Sequence, residues 1–387
     1  MKNKILCGDS LEVLKDFEDN YFDSVVTDPP YGLAFMGKKW DYDVPQVELW
    51  KEVYRVLKSG GHLLSFAGSR TYHRMAVNIE DAGFEIRDML GWLYGSGFPK
   101  SHNIGKAVDK IQGNKREEVE EEHWGRKNRN KEYSANVFNG NRDNDETINK
   151  RTITKGNSQW EGWGTALKPA HEPIVMARKP FNTSVAENVL THGTGGINID
   201  ECRVGTESIG RFPANIIHDG SEEVLEIFPE TKSGTGAIRK NAKGLFGLGG
   251  DNKPNIEYDD KGSAARFFYC AKASKAERNM GLDDYEEKQV TDGTIRSNQE
   301  TARTFGANSA KRKNYHPTVK PIKLMEYLVR LVTPKEGIVL EPFAGSGTTL
   351  IACKQQGFNY IGIERDQEYC DIAEARLKAV QVQGELF

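Results

Sequence analysis

VLEPFAGSGTTLIAC, residues 339–353, predicts a buried strand, a glycine-rich turn and a helix in immediate succession. Glycines at 345 and 347 allow backbone N–H groups to approach a ligand closely. A dinucleotide-binding loop needs a third glycine where this chain has Leu350, and a P-loop needs a lysine where it has Thr348. The turn therefore disfavours the cradling of phosphates, although a purely structural turn is an alternative for the loop taken alone.

The next predicted strand, NYIGIE, ends at Glu364, nineteen residues after Gly345. An acid at this place in nucleotide-binding folds binds ribose hydroxyls. Together with a loop that lacks the third glycine, it favours an adenosine ligand without pyrophosphate. S-adenosylmethionine (SAM) is such a ligand. A solvated strand end is the alternative for Glu364 taken alone.

Both ends of the chain alternate short apolar strands with helical segments, which predicts an α/β fold with a mostly parallel sheet. In the first hundred residues we expect a Ser10-capped helix, a helix from Val47, a turn at KSGG and a helix over 70–82. The strands expected there are NKILC, FDSVVT, HLLSFAG and FEIRDMLGWLY. Near the other end, Pro321 opens a helix and Asp366 caps the last one.

The middle of the chain lacks this rhythm. Residues 111–160 are crowded with charge, Asn and Gly, which predicts an exposed insertion. EPIVMARK at 172–179 restores a strand. Residues 182–315 are glycine-rich and irregular, with basic runs such as SAKRKNYH.

Composition excludes several classes of protein. The formal net charge of the 387 residues is −3, so a nucleic-acid binder needs local basic patches. Five cysteines without a C-x-x-C pair and eight histidines without H-E-x-x-H spacing predict neither a disulfide framework nor a metal site. With no apolar run of 18 residues and no signal-peptide core, we expect a cytoplasmic protein without a membrane partner.

A second motif, TDPPYG at 27–32, ends the strand FDSVVT with an acid, two prolines and a tyrosine. Prolines cannot donate to a sheet ladder, so they end the strand and begin a loop. Asp-Pro is also ordinary turn chemistry, which is the plain alternative for this motif by itself.

Taken together, DPPYG and EPFAGSGTT resemble the β-arrangement amino-group DNA methyltransferases, which methylate adenine N6 or cytosine N4 and place the catalytic motif before the SAM loop. CGDSLEVL resembles the segment whose acid, here Asp9, reaches the SAM adenine. HPTVKPIKLMEYLVRL resembles the SAM-binding segment before the glycine loop, and GWLYGSGFPK and HEPIVMARK resemble late strands of the sheet.

The resemblance implies a circularly permuted Rossmann-like sheet with helices on both faces, plus an irregular target-recognition region. The chain ends just after the ribose acid and begins just before the adenine acid, so its two ends form one sheet. Asp9, Asp28, Gly345 and Glu364 are then expected near the carboxyl ends of strands. The implied parts are a catalytic half (1–110), a charged insertion (111–160), a return strand (161–181), a target-recognition region (182–315) and a SAM-binding half (316–387).

The resemblance also implies direct attack of a flipped base on the SAM methyl. Asp28 and the carbonyl of Pro29 would hold the amine, Pro30 would restrict the backbone, and Tyr31 would stack on the base. The implied cofactor-binding residues are Asp9, Lys320, Glu341, Phe343, Gly345, Ser346, Gly347, Thr348 and Glu364. A core phenylalanine and a surface lysine are the alternatives for Phe343 and Lys320. Lys38, Lys39 and Trp40 are further candidates for DNA contact.

The implied substrate is DNA, and a homodimer and a cognate restriction enzyme are left open as partners. Asp28 favours adenine N6, because cytosine-N4 members of the family usually carry serine there. Cytosine N4 is the alternative, and a catalytically inactive nucleic-acid-binding protein is a distant one. RNA and protein-glutamine methyltransferases more often carry Asn-Pro-Pro-Tyr, and a cytosine-C5 enzyme would need a Pro-Cys pair that this chain lacks.

Overall fold

The computed structural model describes residues 2–33, 42–97, 101–126, 146–205, 210–232, 261–271, 275–290, 310–316 and 318–380. The chain divides into two compact units, one formed by Met1–Ser96 with Ala170–Phe387 and the other by Gly97–Pro169. The division expected from the sequence, into 1–110, 111–160, 161–181, 182–315 and 316–387 with their functional labels, stays a prediction. Within the described ranges, no helix is long and apolar enough to cross a membrane.

The secondary structure alternates as expected at both ends of the chain. The strands are β1 (Lys4–Cys7), β2 (Phe22–Thr27), β3 (Leu57–Phe66), β4 (Glu85–Leu93), β5 (Glu117–Arg126), β6 (Glu146–Lys155), β7 (His171–Arg178), β8 (Ile216–His218), β9 (Glu230–Lys232), β10 (Lys261–Ser263), β11 (Tyr269–Cys270), β12 (Lys288–Val290), β13 (Ala310–Arg312), β14 (Ile338–Glu341) and β15 (Asn359–Glu364). The helices are α1 (Ser10–Leu14), α2 (Val47–Val56), α3 (Tyr72–Asp81), α4 (Ile104–Gln112), α5 (Val185–His192), α6 (Glu222–Leu225), α7 (Lys275–Arg278), α8 (Ile322–Val332), α9 (Thr348–Gln355) and α10 (Gln367–Ala379).

The larger unit is built on a nine-stranded sheet in the order β1-β15-β14-β2-β3-β7-β4-β8-β11. The first five strands in this order, β1, β15, β14, β2 and β3, run parallel to one another. Strand β7 is antiparallel to both of its neighbours, β3 and β4. The last strand among the described residues, β15, lies between β1 and β14, so strands from the two end regions of the chain neighbour each other in one sheet. This arrangement confirms the permuted α/β fold.

Helices cover both faces of this sheet. Successive residues of a strand point to opposite faces, and the neighbours Leu63 and Leu64 accordingly belong to two different hydrophobic clusters. The cluster with Leu64 contains the buried faces of α8 and α9, and the cluster with Leu63 contains those of α1, α2 and α3. The glycine loop and the loop that carries Asp28 therefore both follow strands that are packed on two faces.

Two expectations about local structure were wrong. KSGG at 58–61 is part of β3 and is not a turn. Gly60 adopts a φ of +77° there, and the pairing of β3 with β2 shifts register. A glycine-containing irregularity inside a strand therefore has the same kind of sequence as a turn. Residues 182–315 are not irregular throughout, since they contribute β8 and β11 to the edge of the sheet. Strands of two or three residues are too short to show an alternating pattern.

The smaller unit contains α4, β5 and β6. Strands β5 and β6 pair antiparallel over ten residues each, within the stretch that the sequence predicted as an exposed, charged insertion. Arg116 links this unit internally through ion pairs with Asp109 and Glu161. The charged sequence of β5 lacks apolar alternation, so no periodic signal revealed the strand.

Candidate active site

Four adjacent parallel strands, β1, β15, β14 and β2, bring the predicted site residues to one edge of the sheet. Asp9 follows β1, Glu364 ends β15, and Asp28 follows β2. The glycine loop follows β14. Because the carboxyl ends of parallel strands share one edge, the placement predicted for these residues is confirmed.

Asp9 is the N-cap of α1, and its side chain accepts a hydrogen bond from the backbone N–H of Leu11 at 3.0 Å. The expected cap, Ser10, is instead the first helical residue, and its hydroxyl donates to the carbonyl of Pro342 at 2.5 Å. The position of Ser10 as a cap was therefore wrong by one residue. Its actual bond ties the start of α1 to the start of the glycine loop.

Glu364 holds the glycine loop from the neighbouring strand. One carboxylate oxygen accepts from the N–H of Gly345 at 2.8 Å, and the other accepts from the N–H of Asp366 at 2.9 Å. Burial raises the pKa of Glu364, while these backbone hydrogen bonds act in the opposite direction. Each carboxylate oxygen has a second lone pair, so the group retains acceptor capacity for ligand hydroxyls.

The two loop glycines are required by the protein itself. Gly345 and Gly347 have φ values of +51° and +80°, in the left-handed region that other residues rarely adopt. A Cβ atom at Gly345 would lie 2.7 Å from Nε2 of His316, and one at Gly347 would lie 2.8 Å from Cβ of Ala373. Contacts with protein atoms thus explain why both positions are glycine. From the sequence alone, the two glycines had indicated the close approach of a ligand.

Arg376 on α10 stabilises the glycine loop through hydrogen bonds, although no sequence motif indicated this residue. Its side chain is fully buried, and Nη1 donates to the carbonyl of Ser346 at 2.5 Å, to the Ser346 hydroxyl at 3.1 Å and to the Thr348 hydroxyl at 3.3 Å. Burial lowers the pKa of Arg376 to about 10. The hydroxyls of Ser346 and Thr348 accept from Arg376 and each keeps its O–H as a donor, and their assignment as cofactor-binding residues stays a prediction.

The carboxylate of Glu341 is also hydrogen-bonded within the protein. It is 1% exposed and accepts hydrogen bonds from the hydroxyls of Thr27 and Thr349 and from the N–H of Phe343. Burial raises its pKa to about 8. Phe343 is partly buried against the cluster that contains Leu63. Both residues shape the loop from the protein side, and their assignment as cofactor ligands stays a prediction.

Asp28 is the centre of a partly buried polar cluster. One of its carboxylate oxygens accepts from the Tyr31 hydroxyl at 2.7 Å, and the other accepts from Lys320 Nζ at 2.7 Å. Burial raises the pKa of Asp28, and the Lys320 ammonium opposes that rise. Pro29 is buried and Pro30 half-buried, so the loop that carries Asp28 is held against the core.

Lys320 joins this cluster from the other end of the chain. Burial by itself would lower its pKa, but the attraction of Asp28 and Glu172 raises it, so the ammonium stays charged. Nζ lies 4.8 Å from the centre of the Phe66 ring and 5.4 Å from that of Tyr31. The sequence predicted Lys320 as a cofactor residue, which stays a prediction, and the structure places its ammonium against Asp28 and Tyr31.

Glu172 was missed as a site residue. It belongs to β7, and its carboxylate lies 3.1 Å from the Tyr31 hydroxyl and 3.2 Å from Lys320 Nζ. The only available signal was its place in the strand segment HEPIVMARK, which carries no chemistry of its own. Lys38, Lys39 and Trp40 lie outside the described residues.

A family model described as DNA methylase, for the N6 and N4 classes, matches residues 22–375. The chain belongs to this family. SAM is the cofactor of this family, and DNA is the substrate of its members.

Among individual DNA methylases, the Type II methyltransferase M.HindIII of Haemophilus influenzae is 27% identical over 335 residues, which are 86% of this chain and 68% of that enzyme. M.ScaI of Streptomyces caespitosus is 30% identical over 142 residues, which are 37% of this chain and 41% of that enzyme. The crystal structure of the M1.HpyAVI–SAM complex shares 17% identity, with a TM-score of 0.40 and coverage of 97% of this chain and 99% of that one. For the PvuII DNA methyltransferase (cytosine-N4-specific), the identity is 15% and the TM-score is 0.44, with coverage of 96% and 85%.

Proposed function

We propose that this DNA methylase transfers the methyl group of SAM to adenine N6, with Asp28 as the acceptor that holds the amine. The observation that carries the role of Asp28 is its ionic contact of 2.7 Å with the buried Lys320 ammonium. The choice of adenine follows from the resemblance, because cytosine-N4 members of the family usually carry serine where this chain has Asp28. A neighbouring positive charge favours the ionised carboxylate. An ionised carboxylate is the stronger acceptor, because charge-assisted hydrogen bonds are roughly twice as strong as neutral ones.

The chemistry of the target explains why an acceptor is needed. The lone pair of an exocyclic amine is delocalised into the ring, so the nitrogen is a weak nucleophile until its N–H groups are held. Each oxygen of Asp28 already accepts one protein donor and keeps a second lone pair for an incoming N–H. Transfer leaves a surplus proton on the amine, and Asp28 is the base nearest to it in this proposal.

Tyr31 supplies the face on which we infer that the extruded base stacks. Its hydroxyl is tied to Asp28 and its carbonyl accepts the hydroxyl of Thr71 at 2.6 Å, so the residue is held at both ends. Stacking of a base on an aromatic side chain contributes about 1–3 kcal/mol. A ring fixed in advance loses little conformational freedom when the base arrives.

We propose that SAM binds at the carboxyl ends of β1, β15 and β14, next to the end of β2 where Asp28 lies. Glu364 has free lone pairs for the ribose hydroxyls, Asp9 lies beside it at the end of β1 for the adenine, and the backbone of the glycine loop completes the site. Bound SAM supplies a methyl group made electrophilic by its sulfonium. The protein contributes position and charge, which are the main sources of catalysis for such a transfer.

Cytosine N4 is the second candidate, because its amine has the same chemistry and the same acceptors would serve it. Digestion of methylated DNA followed by mass spectrometry of the nucleosides separates the two. We expect N6-methyldeoxyadenosine, and DNA treated with Asp28→Ala should contain neither product. N4-methyldeoxycytidine as the sole product of the unaltered enzyme would overturn the assignment of adenine.

A further inference from the structure

Asp28 shares its two hydrogen-bond donors with a second carboxylate. The Tyr31 hydroxyl lies 2.7 Å from Asp28 and 3.1 Å from Glu172, and Lys320 Nζ lies 2.7 Å from Asp28 and 3.2 Å from Glu172. Both donors therefore favour Asp28, and both already reach Glu172 without any movement of the backbone.

The number of protons limits how these donors are divided. A tyrosine hydroxyl has one proton, so it serves one carboxylate at a time, whereas the ammonium has three N–H groups and can serve both. Each oxygen of Asp28 keeps a second lone pair for a target amine, but Tyr31 and Lys320 already draw on the same negative charge and so compete with the amine for it. A second acceptor within reach removes the competition without leaving a buried donor unpaired, which would cost about 1–3 kcal/mol.

We propose that Glu172 is a positioning residue, which receives the Tyr31 hydroxyl and a share of the Lys320 ammonium when Asp28 engages the target amine. The proposal rests on the proposed function, since it assumes that Asp28 binds the amine. Glu172 itself touches neither the base nor SAM in this scheme. It acts through Tyr31 and Lys320.

The charge of Glu172 gives this role a measurable signature. The titratable and charged groups around Asp28 are Tyr31 on its own loop, Lys320 before α8, Glu172 on β7, Glu341 at the end of β14, and Tyr94 after β4, which bonds to Glu172. Of these, Glu172 raises the pKa of Asp28 by repulsion, and Lys320 lowers it. Removal of the Glu172 charge should therefore lower the pKa of Asp28.

The test is Glu172→Gln, which keeps the size and one acceptor oxygen but removes the charge. We expect kcat for DNA methylation to fall by about 100-fold, as for a misplaced reacting group, while SAM affinity measured by calorimetry is unchanged. The acidic limb of the pH profile of kcat/KM should move to lower pH, because Asp28 stays ionised further into acid. Glu172→Asp should recover part of kcat and return the limb towards its original position.

Glu85→Gln is the matched control. Glu85 starts β4 and pairs with Arg178 on β7 at 2.8 Å, so the same chemical change is made on the same pair of strands, away from Asp28. It should leave both kcat and the pH limb as in the unaltered enzyme.

Three outcomes separate the possibilities. Normal kcat in Glu172→Gln would refute the role of Glu172. A loss of kcat without displacement of the acidic limb would refute it too, because a merely structural residue would produce that result. Absence of methyl transfer by the unaltered enzyme on any DNA would overturn the proposed function and this inference together.

Discussion

Asp28→Asn removes the charge of the carboxylate that we propose to hold the target amine, while it keeps the shape of the side chain. Asp28 now offers two acceptor oxygens, one to Tyr31 and one to Lys320. Asparagine offers only one, and its amide nitrogen is a donor that conflicts with whichever of the two donors it faces. We therefore expect that donor to turn to Glu172, the remaining acceptor within reach.

The distances show that the fold should survive this change. With an effective dielectric constant of about 20, the attraction of Lys320 is about 6 kcal/mol to Asp28 at 2.7 Å and about 5 kcal/mol to Glu172 at 3.2 Å. Lys320 thus keeps a counter-charge of similar strength when the charge of Asp28 is lost. An ammonium without any partner would instead destabilise the protein by about 3–5 kcal/mol.

Catalysis should suffer much more than stability. A hydrogen bond to a charged group contributes about 1.5–3 kcal/mol, and each 1.36 kcal/mol in the barrier is about tenfold in rate. We therefore expect the weaker hydrogen bond between residue 28 and the amine to lower kcat by about 10-fold to 100-fold. If Asp28 also accepts the proton, the loss reaches about 100-fold to 10,000-fold.

The assay is single-turnover transfer of tritium from labelled SAM to duplex DNA, with calorimetric titration of SAM and thermal unfolding of each variant. Asp19→Asn is the matched control, because Asp19 forms an exposed ion pair with Arg55 at 2.7 Å and lies outside the site. SAM affinity should be unchanged in both variants. An Asp28→Asn enzyme that transfers methyl groups at the normal rate, or that loses SAM affinity in parallel with activity, would refute this account of Asp28.

Two further predictions concern the glycine loop. Gly347→Val should abolish SAM binding in calorimetry, because position 347 has a φ of +80° and the new side chain would collide with Ala373. Gly357→Val is the control: position 357 has a similar φ of +75° but open space around it, so this variant should bind SAM normally. Retained SAM binding in Gly347→Val would reject the loop as the cofactor site. Glu341 has a folded-state pKa of about 8 against a usual value of 4.5, so its contribution to stability is complete below pH 4.5 and is lost as the pH rises through about 8. Glu341→Gln cannot titrate and should show a flatter dependence of unfolding free energy on pH across that window; equal slopes for both proteins would contradict the burial of a neutral Glu341.

Local patterns identified the parts of the site that lie within one strand–loop–helix unit. The glycine turn, the acid at the end of β15 and the acid after β2 each depend on strand ends and turn residues a few positions apart. Their shared edge followed from the rule that parallel strands end together. The capping of α1 was displaced by one residue, because Asp9 and Ser10 are both good caps and only the backbone geometry separates them.

The amino-acid sequence by itself thus determined the α/β class, the permuted order of the motifs, the DNA methylase family and the positions of Asp28, the glycine loop and Glu364. The tertiary structure alone decided that Lys320 reaches Asp28 across 292 positions, and that Glu172 reaches Tyr31 across 141. The physical reason is that periodicity reports which face of an element is buried, while the neighbours of a strand follow from sheet order and packing. The short edge strands β8 and β11 and the charged pair β5 and β6 carry too weak a pattern to show their partners, so their pairing emerges only when the whole chain is folded.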